Sequence, residues 1–179
     1  RYFRTIQWLG EGNFSKREYA LLWTFALLDN QFGFAADLGV EYVIVGHSEA
    51  RKNQNETNDL INKKLHESLK ERLHPILCIG EQEGQDKAAV LSQQIAEGLK
   101  DITHADIKHV VIAYEPVWAI GTGKNCSVDE TMSSVIFIKK IISELYSRDI
   151  ADNMHILYGG SVNSKNSGEY LKNAGVQGL

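Results

Sequence analysis

Apolar residues along this chain change between two spacings from about residue 40 onward. Short unbroken apolar runs rich in β-branched residues predict buried strands that start near residues 40, 75, 109 and 155, and a further one near 176. Between these runs, apolar residues recur every three or four positions, which predicts amphipathic helices. The helical stripes are Ile61, Leu65, Leu69 and Leu73; Leu91, Ile95 and Leu99; and Val135, Ile138, Ile142 and Leu145.

Signals at the element ends agree with this alternation. Pro75 suits the first position of the second strand, and Ser127 with Glu130 has the spacing of a capping box at the start of a helix. A short helix centred on Tyr170 is expected to end at Gly175. Strands alternating with helices through short connections predict right-handed βαβ units, a parallel sheet and an α/β fold. Residues 1–39 have no clear period, so we assign no element there.

Composition limits the classes of protein to consider. The 179 residues suit a single domain over 1–179, and 43% hydrophobic residues with a net charge of −4 are typical of an ordinary globular protein. A surplus of Lys and Arg is absent, which disfavours nucleic acid as a partner. The longest apolar run, residues 19–28, is too short to cross a membrane. Two cysteines allow one disulfide at most and favour a reducing, cytoplasmic location.

Residues that can carry chemistry follow the predicted strands. His47 and Glu49 come after the first strand, Glu81 after the second and Glu115 after the third, while a Gly-Gly-Ser turn at 159–161 follows the fourth. In parallel α/β folds, ligands bind outside the carboxyl ends of the strands. Because those ends share one edge of the sheet, the pattern predicts an active site there.

Each of these residues also has a structural interpretation that the sequence leaves open. Glu81 has the position of a helix N-cap or first-turn carboxylate, and a lone histidine such as His47 is commonly structural. Cys78 lies among Ile and Leu in a strand and is expected in the core. Glycines in turns often serve only backbone conformation. No His, Cys, Asp or Glu residues have metal-ligand spacing, so we expect no metal.

The chemistry of the residue types suggests separate roles. Glu115 lies between an apolar strand and Trp118, a setting that desolvates a carboxylate and suits a general base. His47, at a neighbouring strand end, can polarise a carbonyl group or shuttle a proton. Gly121 and Gly123 are expected in a closing lid, and the turn at 159–161 is expected to lead into a helix and to offer N–H groups to an anion such as phosphate.

Four longer motifs carry these residues in order. They are VIVGHSE at 43–49, PILCIGE at 75–81, AYEPVWAIGTGK at 113–124 and YGGSV at 158–162. Together they resemble the triosephosphate isomerase family at compatible spacing over about residues 37–179. The resemblance implies a (β/α)8 TIM barrel, of which this chain matches the region from about strand 4 to the start of strand 8. It also implies a homodimer, although the family's dimer loop is not recognisable here.

The resemblance implies cofactor-free isomerisation of dihydroxyacetone phosphate and glyceraldehyde 3-phosphate through an enediolate. Glu115 would abstract the proton next to the carbonyl and neutral His47 would polarise that carbonyl, which are the roles established for this family. Gly121 and Ser161 would give backbone N–H groups to the substrate phosphate.

The resemblance gives the remaining site residues supporting roles. Glu49 would support the polar network of the site, and Cys78 and Glu81 would be structural supports near it.

Some features of the family are not found in this sequence. Residues 1–39 contain no asparagine–x–lysine motif, Ala50 stands where an arginine is usual, and the final glycine pair is not found before residue 179. A barrel of this type has about 250 residues, so we expect the sequence to be part of a longer barrel. The alternative function is a non-catalytic or impaired barrel that retains only part of the phosphate site.

Overall fold

A computed structural model describes residues 21–23, 31–120 and 125–179 of this chain. Within these residues five β-strands alternate with seven α-helices. The strands are β1 (Leu21–Trp23), β2 (Tyr42–Val45), β3 (His74–Ile79), β4 (Val111–Tyr114) and β5 (Ile156–Tyr158). The helices are α1 (Gln31–Asp37), α2 (Ser48–Asn53), α3 (Asn58–Lys70), α4 (Lys87–Gly98), α5 (Val128–Leu145), α6 (Arg148–Asn153) and α7 (Ser167–Asn173).

The five strands form one parallel sheet in the order β1-β2-β3-β4-β5. Val43 of β2, for example, lies opposite Leu22 of β1 on one side and Pro75 of β3 on the other. Neighbours in sequence are neighbours in space, and the strand order never reverses among the described strands. A doubly wound sheet has such a reversal and a (β/α) barrel does not, so the predicted α/β barrel architecture is confirmed as part of a barrel.

Both faces of the sheet are buried, which explains why the strands are unbroken apolar runs. One face packs against the helices with Val43, Val45, Leu77, Ile79 and Ile112. The other face, the interior side of a barrel, carries a second apolar cluster. Its members are Ile44, Ile76, Cys78, Val111, Ala113 and Leu157.

The predicted helices form where the capping and stripe signals place them. The Ser127 hydroxyl accepts the Glu130 N–H and the Glu130 carboxylate accepts the Ser127 N–H, which completes the capping box of α5. Helix α3 begins with Thr57 as its N-cap, and α4 with Asp86. None of the described helices combines the length and the apolar composition needed to span a membrane.

Several short elements differ from the sequence prediction. Strand β1 and helix α1 lie within residues 1–39, where no element was assigned, and the rest of that segment apart from residues 38–39 lies outside the described residues. Strand β3 begins at His74, one residue before Pro75. Near residue 176 a parallel bridge joins Gly178 to Leu157 of β5. The single domain over 1–179 stays a prediction.

Candidate functional site

Two side chains predicted to do chemistry face each other at the carboxyl edge of the sheet. His47 follows β2 and Glu115 follows β4, with β3 between these strands. The His47 Nε2 atom lies 3.4 Å from Oε1 of Glu115. The sheet therefore brings together two residues that are 68 positions apart in sequence.

Glycines at neighbouring strand ends make room for Glu115. Its backbone N–H donates to the Ile79 carbonyl at 2.7 Å, so the segments that follow β3 and β4 lie close together. A Cβ atom on Gly80 would lie 1.8 Å from the Glu115 carbonyl oxygen, and one on Gly159 would lie 2.6 Å from Glu115 Cγ. These two glycines are thus required by the close approach of the base, and not by backbone conformation.

The Glu115 carboxyl is 8% exposed, and this burial raises its pKa to about 7. Three interactions oppose the effect of burial by favouring the charged form. The Cys78 thiol and the Ser48 backbone N–H donate hydrogen bonds to the carboxylate, and the Arg51 guanidinium contributes a positive charge. The result is a carboxylate that can take up and release a proton near neutral pH.

The His47 ring is held as a neutral imidazole. Its Nδ1 atom accepts the Glu49 backbone N–H at 3.3 Å, so Nε2 carries the ring proton and points toward Glu115. Burial lowers the pKa of His47, and the Glu49 charge partly opposes this. The Glu49 side chain itself is exposed, and its contribution to the site is its backbone N–H and its charge.

Arg51 connects the ends of two strands and was missed by the sequence analysis, which considered only Ala50 beside it. Its Nε donates to the Gly46 carbonyl at 2.7 Å, and its Nη2 donates to the Cys78 carbonyl at 3.1 Å. Its Nη1 donates to Oδ1 of Asn58 at 2.6 Å. A partly buried guanidinium can satisfy three acceptors in this way because its donors are arranged as a planar fork. The signal that could have identified Arg51 is its position just after the 43–49 motif.

Glu81 is a buried support for the chain that follows Glu115. Its carboxylate accepts the Trp118 Nε1–H at 3.0 Å and the Tyr114 hydroxyl at 3.2 Å. Its carbonyl accepts the Val117 N–H at 2.9 Å. The structural alternative of an N-cap is wrong for Glu81, because the cap of α4 is Asp86. Glu81 thus holds the aromatic residues on both sides of the candidate base.

The Gly-Gly-Ser turn is tied to the same segment. Gly159 N–H donates to the Tyr114 carbonyl at 2.9 Å, and Ser161 Oγ donates to the Ala119 carbonyl at 2.6 Å. The expectation that this turn leads directly into a helix is wrong, since α7 begins only at Ser167. An asparagine-rich turn over 163–166, closed by side chain-to-backbone hydrogen bonds, takes up the residues between. The predicted lid residue Gly121 lies outside the described residues.

The chemistry available at this edge is proton transfer. A carboxylate that titrates near neutral pH can remove a proton from carbon, and a neutral N–H donor can stabilise the oxyanion that results. Among residues 31–120 and 125–179 there is no group of three or more His, Cys, Asp or Glu side chains arranged to hold a metal ion.

Comparison with known proteins gives one consistent family. The family model described as triosephosphate isomerase matches residues 31–179. The chain is 41% identical over 146 residues to the triosephosphate isomerase of Alkaliphilus oremlandii, covering 79% of this chain and 59% of that protein. The corresponding enzyme of Finegoldia magna is 44% identical over 147 residues, with the same coverage. The chain therefore spans about three fifths of the length of the curated relatives it matches.

Proposed function

The chain belongs to the triosephosphate isomerase family, and we propose that the protein interconverts dihydroxyacetone phosphate and glyceraldehyde 3-phosphate through an enediolate. The observation that carries this proposal is the neutral His47 imidazole 3.4 Å from a buried carboxylate whose pKa is raised to about 7. One group can move a proton between carbons while the other stabilises charge on oxygen. The reaction belongs to glycolysis and gluconeogenesis.

In the proposed reaction Glu115 is the base. It removes a proton from the carbon next to the carbonyl, and the electron pair of that C–H bond forms the enediolate double bond. The protonated Glu115 then returns a proton to the neighbouring carbon, while the hydroxyl proton of the first carbon passes by way of His47 to the former carbonyl oxygen. The substrate and the product are isomers, so there is no net oxidation or reduction and the reaction needs no cofactor. A base with a pKa near the working pH is effective in both directions.

His47 acts on the oxygen atoms in the proposed reaction. Its Nε2–H donates to the carbonyl oxygen, and this hydrogen bond strengthens as negative charge develops in the enediolate. The Glu49 backbone N–H supports the role because its bond to Nδ1 keeps the proton on Nε2. Cys78 and Glu81 support the base, the first by its thiol hydrogen bond and the second by holding Trp118.

The proposed phosphate contacts are backbone N–H groups of Gly121 and Ser161. The net charge of −4 makes local donors necessary, because the overall field of the protein does not attract a dianion. The Ser161 hydroxyl is bonded to the Ala119 carbonyl, so the contact proposed between this residue and the phosphate is made by its backbone N–H.

We also propose that the protein is a cytoplasmic homodimer. The family resemblance implies the dimer, and two exposed apolar residues, Phe34 on α1 and Leu38 directly after this helix, each 64% exposed, suit a subunit contact. Both cysteines, Cys78 and Cys126, are free thiols, as is usual in a reducing compartment. Sedimentation at increasing protein concentration tests the dimer, and a monomer at all concentrations would contradict it.

The test of function is a coupled isomerase assay on the purified chain, together with NMR detection of solvent deuterium at carbon 1 of dihydroxyacetone phosphate. We expect both signals in the protein, and neither in Glu115→Gln. The matched control is Glu83→Gln, an exposed carboxylate in the loop after Glu81, which should keep both. A folded protein with neither turnover nor exchange would favour the non-catalytic barrel.

A further inference from the structure

Two stacked tyrosines hold the peptide groups of a single residue, Cys126. The rings of Tyr158 and Tyr170 lie nearly parallel, with centroids 4.6 Å apart and an interplanar angle of 10°. The Cys126 backbone N–H donates to the Tyr158 hydroxyl at 3.2 Å, and the Tyr170 hydroxyl donates to the Cys126 carbonyl. We call Tyr158 and Tyr170 the tyrosine clamp.

The hydroxyl of Tyr170 has a second bond in the same segment. It accepts a hydrogen bond from Nδ2 of Asn125 at 3.0 Å. The hydroxyl thus donates to Cys126 and accepts from Asn125, two adjacent residues. Tyr170 is 1% exposed and Cys126 is fully buried. The bonds of the two tyrosine hydroxyls to Cys126 therefore form away from water, where an unpaired carbonyl is costly.

The clamp connects parts of the molecule that belong to the proposed site. Tyr158 directly precedes the turn at 159–161, and Cys126 directly precedes Ser127, the N-cap of α5. On the other side of the predicted lid residues, Ser161 Oγ holds the Ala119 carbonyl. Ala119 and Cys126, the tied residues on the two sides of Gly121, are thus both bonded to side chains from the β5–α7 region.

We propose that Tyr170 is a positioning residue for the phosphate end of the site. By holding the Cys126 carbonyl and stacking on Tyr158, it fixes the point at which the chain enters α5 relative to the turn that carries Ser161. This inference rests on the proposed function, because it assigns Tyr170 to the placement of the phosphate contact at Ser161. Tyr170 acts through Cys126 and Tyr158 and needs no contact with the substrate.

The reaction offers a readout that a merely structural role would not change. An enediolate that carries a phosphate group on the next carbon can expel it: the C–O bond breaks, its electron pair leaves with the phosphate, and methylglyoxal results. A well-placed phosphate contact opposes this loss, and a loosened one permits it. The fraction of turnovers that release phosphate therefore reports on the placement of the contacts.

The first measurement needs no catalytic activity. In Tyr170→Phe the ring stays and only the hydroxyl is lost, and we expect labelling of the Cys126 thiol by a maleimide reagent to become about tenfold faster. Cys78, buried in the sheet, reports global opening and should be labelled at an unchanged rate. The matched control is Tyr146→Phe, because the Tyr146 hydroxyl also donates to backbone carbonyls, those of Leu99 and Ile102. Equal Cys126 rates in the two variants would overturn the proposal.

The second measurement tests the role at the phosphate end. We expect the fraction of turnovers that release phosphate to rise several-fold in Tyr170→Phe and to stay unchanged in Tyr146→Phe. Faster labelling without a change in that fraction would overturn a positioning role. If the unmodified chain shows no isomerisation, the proposed function fails, and the affinity for inorganic phosphate then decides the inference. A several-fold weaker affinity in Tyr170→Phe supports it, and an unchanged affinity overturns it.

Discussion

Replacing Glu115 with glutamine removes a buried charge and keeps the shape of the side chain. Burial raises the pKa of Glu115 to about 7 from its ordinary value of 4.5. Below pH 4.5 the group is protonated in both the folded and the unfolded protein, so it has no pH-dependent effect on stability there. Between pH 4.5 and 7 the folded state binds the proton more tightly than the unfolded state. Stability is therefore lost as pH rises through this window, and the loss is complete above pH 7.

The difference between these two pKa values corresponds to about 3 kcal/mol in the free energy of unfolding. Glutamine does not titrate, so it has no such loss. The free energy of unfolding of Glu115→Gln minus that of the unmodified protein should therefore be greater at pH 8 than at pH 5, by up to about 3 kcal/mol. The amide group also places one N–H2 against a donor such as His47 Nε2–H or the Cys78 thiol, which costs about 1 kcal/mol at every pH. The change in the difference with pH, and not its value at one pH, is the quantity that tests the reasoning.

The assay is urea unfolding of both proteins at pH values from 5 to 8, followed by circular dichroism. Contributions from titratable groups that do not contact Glu115 are common to both proteins and cancel in the difference. Glu83→Gln, which changes an exposed carboxylate, serves as the control and should differ from the unmodified protein by the same amount throughout. A difference for Glu115→Gln that stays constant within about 0.5 kcal/mol from pH 5 to 8 would refute the raised pKa.

Three further predictions concern activity. The acid limb of kcat/KM should level off near pH 7, because Glu115 must be ionised in the free enzyme to act as the base. The substrate phosphate also titrates, at about pH 6. A value of kcat/KM that is already level at pH 5 would contradict the raised pKa of Glu115. Glu115→Asp moves the carboxylate back by one methylene and should lower kcat by about 100-fold with little change in substrate binding; equal losses in both would contradict the assignment of the base. Gly159→Ala places a Cβ atom 2.6 Å from Glu115 Cγ and should lower kcat by about 100-fold, whereas Gly168→Ala, with no atom within 4 Å of its Cβ, should not; steady-state kinetics of the two variants decide this.

The sequence by itself determined the α/β alternation, the ends of the longer elements and the residues at the strand ends. Periodicity and capping are local properties, which is why α5 and its capping box could be predicted from residues 127–145 alone. Short elements carry too few residues for a period, so β1, α1, α2 and α6 were missed. Tertiary contacts decide such elements, as when β1 pairs with β2 and α6 packs against α5.

Only the tertiary structure decided the burial, the hydrogen bonds and the pKa values of the strand-end residues. The pKa of Glu115 reflects its burial, hydrogen bonds from Cys78 and Ser48, and the positive charge of Arg51, and these three residues lie 37 to 67 positions away in sequence. The hydrogen bonds by which Glu81 holds Tyr114 and Trp118 likewise join residues more than 30 positions apart. Local sequence specifies which groups are available at the edge of the sheet. Desolvation and hydrogen bonding depend on what the fold brings next to them, and so they are properties of the folded chain.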